Sequence, residues 1–481
     1  MKLSLPRSKT KLICTIGPSS HSENVLRGML ESGMSIARLN FSHGTPEDHK
    51  KDIEFIRSVA AGINRMVPVL VDLPGPKIRV GILENGAVFL ERGSVVTLTT
   101  EKIHGTGNII PVTYRRLTES VHPQSVIYLN DGFIELEVIE AGKSEVACRV
   151  TSGGQLLSGK GLNLPGARLF ASSPTKRDLE LMGLALDEGI DTFGISFVES
   201  AEAIERTREF ARKKGKDIYI VAKIERAGAV DNINSILQAA DAIMIARGDL
   251  GVEVPIEEVP ALQKELIMKA NMASRPVITA TQMLESMVEN TRPTRAEATD
   301  VANAILDGTD AVMLSEETAI GKYPVETVSM MARIAAVTET RRRTIRSSAF
   351  IRNLLHEDLR KGQITVPDMI SLNVSETASA LDAKFIITPT ETGATARRIA
   401  RFKPEGWIIA SNPKKSICDF LFFSYGVHPT VMETAHTGWC DSILGKLKEK
   451  KLAQRGEYVI MTEGRFSKGE GSTDSLSIIT V

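Results

Sequence analysis

Short hydrophobic runs recur along the chain, each ending in charged or hydroxyl residues and each followed by a stretch with helical spacing. The pattern predicts strands over Lys11–Ile16, Met34–Asn40, Val67–Asp72, Thr192–Phe197, Tyr219–Glu225, Ala242–Arg247, Val277–Thr281 and Ala311–Ser315, with helices after Glu23, Asp48 and Ser173 and between the later strands. Eight such units close a (β/α)₈ barrel, a TIM barrel, whose active site is assembled at the C-terminal ends of its strands. From Leu73 to Arg168 the rhythm changes to short alternating runs rich in Val, Ile, Thr and Gly, such as SVVTLTT and EVACRVTSGG, which read as an inserted all-β unit. After Thr338 the run RRRTIRSS reads as a solvated helix end or linker. A third unit begins near Asp368, where a helix over Ser375–Leu381 precedes FIITPT, a helix from Ala394, WIIASN, a helix around Ile417, a strand near Val427, a helix and YVIMTEG. That alternation predicts an open α/β sheet. The expected organisation is a barrel over 1–72 and 169–340, an insertion over 73–168 and a C-terminal α/β unit over 355–481.

Composition narrows the partners. At 481 residues the chain exceeds what one core organises. Lys plus Arg and Asp plus Glu both number 59, a formal net charge of +0, which removes a general electrostatic case for nucleic acid or acidic membrane. Cys14, Cys148, Cys418 and Cys440 show neither disulfide nor metal-ligand spacing and suit a reducing cytoplasm. The start, MKLSLPRSKTKLICTIG, lacks the apolar run of a secretory signal, and no stretch approaches a membrane span. A soluble cytoplasmic protein is expected.

The strand ends carry the chemistry. Lys223 and Glu225 lie two apart and share a face of the fifth strand, so ammonium and carboxylate project together into the barrel mouth. Asp249, in RGDLG after the sixth strand, adds a second carboxylate. Two neighbouring carboxylates repel unless a cation separates them, and a hard ion held by one or two carboxylates plus substrate oxygens is typical of Mg²⁺. Gly248 lets the backbone approach a ligand. Arg38 and Asn40 share a face at the end of the second strand, where an arginine fork suits phosphate. Thr281, closing ITAT, is an ordinary strand residue when taken alone. The MLESM segment beyond it reads as core-facing helix.

The wording RLNFSHG, KIE, RGDLG and ATQMLESM, in that order, resembles pyruvate kinase, and the resemblance runs from CTIGPSS to the closing glycine-rich segment. It implies transfer of the phosphoryl group of phosphoenolpyruvate to ADP, giving pyruvate and ATP. It also implies Mg²⁺ or Mn²⁺ at Glu225 and Asp249, with Lys223 against the phosphoryl group and Arg38 on the substrate phosphate. The neighbourhood of Gly248 and Asp249 receives the substrate carboxylate, and the Thr281 hydroxyl lies on the proton route to carbon. Asn40, Ser42, His43, Arg79 and Arg177 are implied nucleotide contacts, with the insertion a small β-barrel lid hinged at Pro74–Pro76 that carries Arg79.

Two segments depart from the family. Where many members read DTKGPEIRT and require K⁺, this chain reads DLPGPKIRV: Leu73 removes an oxygen ligand and Lys77 adds an ammonium. The resemblance then places the chain among members that need no K⁺, with Lys77 as the cation's substitute beside Asn40, Ser42 and Asp72. In the C-terminal unit, Thr390, Thr392, Gly393 and Thr395 occupy the family's effector loop, but Glu391 and Ala394 depart from a phosphate-binding pattern. An effector other than fructose 1,6-bisphosphate, or none, is expected, and family habit suggests a homotetramer. A lyase or aldolase acting on phosphoenolpyruvate or pyruvate, and a non-catalytic sensor on a relic barrel, are the alternatives.

Overall fold

A computed structural model describes residues 5–167, 173–341, 346–432, 439–463 and 473–481, with the side chains of 346, 347 and 439–441 outside the description. Eight parallel strands close a barrel in chain order: Lys11–Thr15, Ile36–Asn40, Val69–Asp72, Thr192–Ile195, Tyr219–Ile224, Ala242–Ala246, Val277–Ala280 and Ala311–Leu314. They fall within the expected runs: six stop one or two residues earlier, where the chain turns into its loop, and the second and third keep Asn40 and Asp72 but start two residues later. The barrel helices start where the sequence supplies caps. Thr45 with Asp48, Thr175 with Asp178 and Thr294 with Glu297 each form a capping box, opening Pro46–Gly62, Lys176–Asp187 and Arg295–Asp307.

Ile13, Ile36, Leu70, Val221, Met244, Ile278 and Met313 fill the barrel interior, and Phe420 and Phe423 from the C-terminal unit belong to the same cluster. The Phe420 ring stacks on Tyr219 at 4.2 Å. The barrel's N-terminal end is thus plugged by aromatic rings, which leaves the C-terminal end as the open one.

The insertion is held by its own core and forms a seven-stranded sheet whose first strand, Ile78–Arg79, pairs with Gly161–Asn163. A separate two-stranded ribbon joins Gly154–Leu157 to Ala87–Leu90. At the hinge, Gly75 has φ +68°, and a Cβ there would lie 2.8 Å from that of Ser196, so only glycine fits. The Gly75 N–H donates to Asp178 Oδ1 at 3.0 Å.

The C-terminal sheet orders Val427–Val431, Trp407–Asn412, Phe385–Pro389 and Tyr458–Glu463 in parallel, followed by antiparallel Ser475–Thr480. Two elements were not expected: that last strand, and a helix over Arg346–Arg360 that runs through position 355. The helix over Val366–Ala380 starts earlier than the expected Ser375 because Thr365 caps it. Parts of RRRTIRSS and the 168/169 boundary lie outside the described residues. The free thiols of Cys14, Cys148 and Cys418 are buried. Among the described residues no helix is long and apolar enough to cross a membrane.

Candidate active site

Seven strand ends and the loops after them converge at the mouth. Asp72, closing the third strand, is the hub. Its Oδ2 accepts from Arg38 Nε at 2.9 Å and Nη2 at 2.7 Å, while its Oδ1 lies 3.1 Å from Lys223 Nζ. Register explains the meeting: Asn40 pairs with Asp72 and Gly194 with Asp72 in adjacent ladders, so the residues at these strand ends lie at one level. Arg38 Nη1 also donates to Thr15 Oγ1 at 2.8 Å, which fixes the guanidinium plane.

Lys223 Nζ is held at 2.8 Å by Glu225 Oε1 and at 2.7 Å by Ser196 Oγ. Burial works against its charge, but Asp72 and Glu225 outweigh burial and raise the Lys223 pKa above the usual lysine value. Asp72 is buried too, yet Lys223 and Arg38 hold it below the ordinary carboxylate range. Glu225 behaves differently. Burial pushes its pKa up, Lys223 pulls it down, and the charge of Asp249 pushes it up again, leaving it raised. Its Oε2 accepts the Phe197 N–H at 2.7 Å.

Glu225 stays raised even with the Lys223 ammonium at 2.8 Å, because burial and the charge of Asp249 outweigh it, and a divalent ion fits as the further positive charge between the two carboxylates. The donor set agrees. Among the described residues no three His, Cys, Asp or Glu gather as a metal cage, and Mg²⁺ characteristically takes one or two carboxylates and leaves its other positions to substrate and water.

Asp249 has a partner of its own, Lys77 Nζ at 3.0 Å from Oδ1. The family resemblance implies Lys77 beside Asn40, Ser42 and Asp72; the structure puts its ammonium on Asp249. The physical reason is that Asp72 is already engaged by Arg38 and Lys223.

Thr281 does not continue its strand. It has φ +66° and Gln282 φ +53°, a region that is an outlier for a β-branched residue. The turn brings Thr281 Oγ1 to accept the Gly248 N–H at 2.8 Å while donating to the Ala280 carbonyl at 2.7 Å. Arg247 secures the turn, donating to the Ala280 carbonyl at 3.2 Å and the Thr281 carbonyl at 2.8 Å, with Asp300 accepting its Nη1 at 2.8 Å. The MLESM segment is therefore a bend followed by one 3₁₀ turn over Glu285–Val288, not the core helix expected, although Met283, Leu284 and Met287 are buried.

The remaining expected contacts stand apart. Asn40 Oδ1 accepts the Ser42 N–H at 3.1 Å, and His43 is exposed. Arg79 Nη1 donates to the Gly159 carbonyl at 3.0 Å within the insertion. Arg177 stands at the start of its helix with its side chain 59% exposed, facing Glu180 at 3.7 Å. In the effector loop Thr390 Oγ1 accepts the Gly393 N–H at 2.9 Å, Thr395 bonds Thr473, and Arg397 donates to the Thr392 carbonyl at 3.2 Å. Ser196, Thr15, Phe197 and Arg247 were not singled out from sequence as members of this site; Thr15, Ser196 and Arg247 carried a signal, as polar residues at strand ends, and Phe197 carried none.

Comparison with known proteins agrees with this geometry. The family model for the pyruvate kinase barrel domain matches residues 7–328, and that for the pyruvate kinase alpha/beta domain matches 368–479. A pyruvate kinase of Thermococcus litoralis is 48% identical over the full length of both chains. One from Geobacillus stearothermophilus is 42% identical over 98% of this chain and 80% of its own. The crystal structure of a pyruvate kinase from Cryptosporidium parvum superposes with a TM-score of 0.89 at 36% identity, covering 98% of this chain and 96% of that one. With matches across barrel and C-terminal unit alike, and a barrel mouth built around one buried lysine between carboxylates, the chain belongs to the pyruvate kinase family.

Proposed function

We propose that the chain transfers the phosphoryl group of phosphoenolpyruvate to ADP, giving pyruvate and ATP, as a cytoplasmic glycolytic enzyme assembled as a homotetramer. The observation that carries this reading is the Lys223 ammonium, held charged by Asp72 and Glu225 and aimed by Ser196. In the transfer, the bond from phosphorus to the enol oxygen breaks and one to a terminal ADP oxygen forms. The transition state is loose, so fixed positive charge and alignment do most of the work. Lys223 faces the group in flight, and Arg38, whose plane is fixed by Asp72 and Thr15, binds the substrate phosphate. Mg²⁺ or Mn²⁺ at Glu225 and Asp249, when bound, supplies Lewis-acid charge toward phosphoryl and enolate oxygens.

The enolate left behind needs a proton at carbon. Thr281 Oγ1, oriented by the Gly248 N–H and the Ala280 carbonyl, relays it from water, since a threonine hydroxyl is itself a poor acid. The Gly248 backbone lies beside that hydroxyl and receives the substrate carboxylate. Asn40, Ser42, His43, Arg79 and Arg177 meet the nucleotide once the insertion closes over the mouth and excludes water.

Independence of a monovalent cation is the reading proposed for Lys77. Its ammonium reaches the mouth from the hinge, which supports a fixed charge in place of K⁺. The effector loop already pairs its own hydroxyl and amide groups, which favours an effector other than fructose 1,6-bisphosphate, or none, at Thr390, Thr392, Gly393 and Thr395. The test is a coupled assay of pyruvate and ATP formation from pure substrates with Mg²⁺, in K⁺ buffer and in K⁺-free buffer of matched ionic strength. Equal rates are expected, with Lys77→Glu slower when K⁺ is absent. No pyruvate and no ATP from these substrates would favour the lyase or sensor reading, pyruvate with inorganic phosphate in place of ATP would mean hydrolysis, and silence until K⁺ is added would remove the role of Lys77.

A further inference from the structure

Away from the mouth, on the seam between the barrel and the C-terminal unit, lies a small cleft open to solvent, lined by Asn271, Ser274, Arg275, Arg397, Arg401 and Ser424 together with Asp310. Its charges do not balance. Arg401 is taken by Asp368 at 2.7 Å, and Asp310 by Lys403 at 2.7 Å and by the Tyr425 N–H at 2.9 Å. Asp241, the nearest other acid toward the barrel, pairs with Arg208 at 3.0 Å. Arg275 and Arg397 have no carboxylate within ion-pair distance among the described residues. Arg275 reaches only the carbonyls of Leu237 and Gln238, and Arg397 only that of Thr392 and the face of Phe420.

Two further polar atoms at the cleft, Arg401 Nε and Ser424 Oγ, are buried without a hydrogen-bond partner. Burial, followed by the charge of Arg275, pushes the Arg397 pKa down to about 10. Guanidinium groups drawn together with only Asp241, already paired with Arg208, as nearby counter-charge, beside unpartnered donors, are costly unless something more negative joins them.

We propose that this seam is an oxyanion site for a phosphate group, with Arg275 and Arg397 as its charged fork and Arg401 Nε and Ser424 Oγ as neutralising donors. Planar guanidinium groups match phosphate oxygens bidentately, and two of them would share one dianion. Arg275 belongs to the barrel and Arg397 to the C-terminal unit, so a phosphate here ties the two units together. The proposal is independent of the reaction assigned to the mouth. Its chemistry fits inorganic phosphate and the phosphate of a sugar ester equally, and titration separates the two sources.

The experiment is isothermal titration of the full chain, its mouth saturated with Mg²⁺ and phosphoenolpyruvate, with inorganic phosphate and in a second arm with a hexose monophosphate. Saturable binding is expected for at least one probe, weakened about 10-fold or more by Arg275→Met and by Arg397→Met, with Arg275→Lys between them and wild type. Tighter binding of the ester identifies an organic phosphate, and equal binding identifies the free ion. Heat signals no larger than those of chloride at matched ionic strength, or unchanged affinity in both methionine variants, would overturn the site. Because those variants could fail to fold, Ser424→Phe, which fills the cleft and leaves every arginine in place, is tested beside them. It too must abolish binding, with its melting transition recorded as a control.

Discussion

The two ends of the barrel are finished by opposite means. At the N-terminal end, Tyr219, Phe420 and Phe423 close the interior with stacked rings, and the buried ammonium of Lys11 is spent on the Val427 carbonyl at 2.6 Å. At the C-terminal end, Arg38, Asp72, Lys223 and Glu225 form a chain of alternating charge, and Asp249 stands beside it as a further carboxylate that helps leave Glu225 with a raised pKa. The apolar interior at the first end is closed by its own rings. The other end is satisfied only when a ligand arrives, which is why chemistry belongs there and stability at the opposite pole.

The comparison breaks most directly at the mouth. Lys223→Met is expected to lower kcat by about 10³-fold or more while leaving far-ultraviolet circular dichroism unchanged. Near-normal turnover would show that the lysine is only a strut. The mirror experiment is Phe423→Ala, which empties a fully buried ring site at the other end. It should cost about 3–5 kcal/mol in denaturant unfolding and leave the KM for phosphoenolpyruvate near wild type in the fraction that remains folded.

A smaller effect sharpens the contrast between carboxylates. Glu225→Gln and Asp249→Asn should each raise the Mg²⁺ concentration for half-maximal rate about 10-fold or more. The sign of the pH dependence follows from Glu225. Its folded pKa is raised, so its contribution is favourable below the unfolded value and is lost as pH rises through the folded value. Mg²⁺ should therefore raise Tm more in alkaline than in acidic buffer. An equal rise at both would mean that Glu225 does not meet the ion.

The smallest effect lies just beyond Thr281. Glu285 is pushed up to about 7 by burial, then by Glu317, Glu316 and Glu297. Glu285→Gln should leave Tm unchanged at pH 5 and raise it by about 1–2 °C above pH 8.

Much of this was legible in the chain. All eight barrel strands could be placed because a parallel strand buried on both faces reads as an unbroken apolar run. Lys223 and Glu225 were legible from their two-residue spacing. What failed did so for local reasons. Met283, Leu284 and Met287 have helical spacing, but two consecutive left-handed residues, Thr281 and Gln282, forbid the helix that spacing suggests. The helix over Arg346–Arg360 was hidden behind a basic run, although Ile351 and Leu355 pack against Leu372 and Phe402. The final strand is an edge with Ile478 52% exposed, so its alternation is faint. At the site, the pairing of Lys77 with Asp249 joins residues 172 positions apart, and no local pattern encodes it.

Asp178 deserves a kinematic reading. One of its oxygens closes the capping box on Thr175, and the other takes the Gly75 N–H. The pivot of the insertion is thereby pinned to the first turn of the helix that bears Arg177. In the proposed closure the insertion pivots at that point, and Arg79 is carried on an arc centred there. The helix that carries Arg177 is the frame in which that arc is drawn, and the two arginines share one mechanical reference.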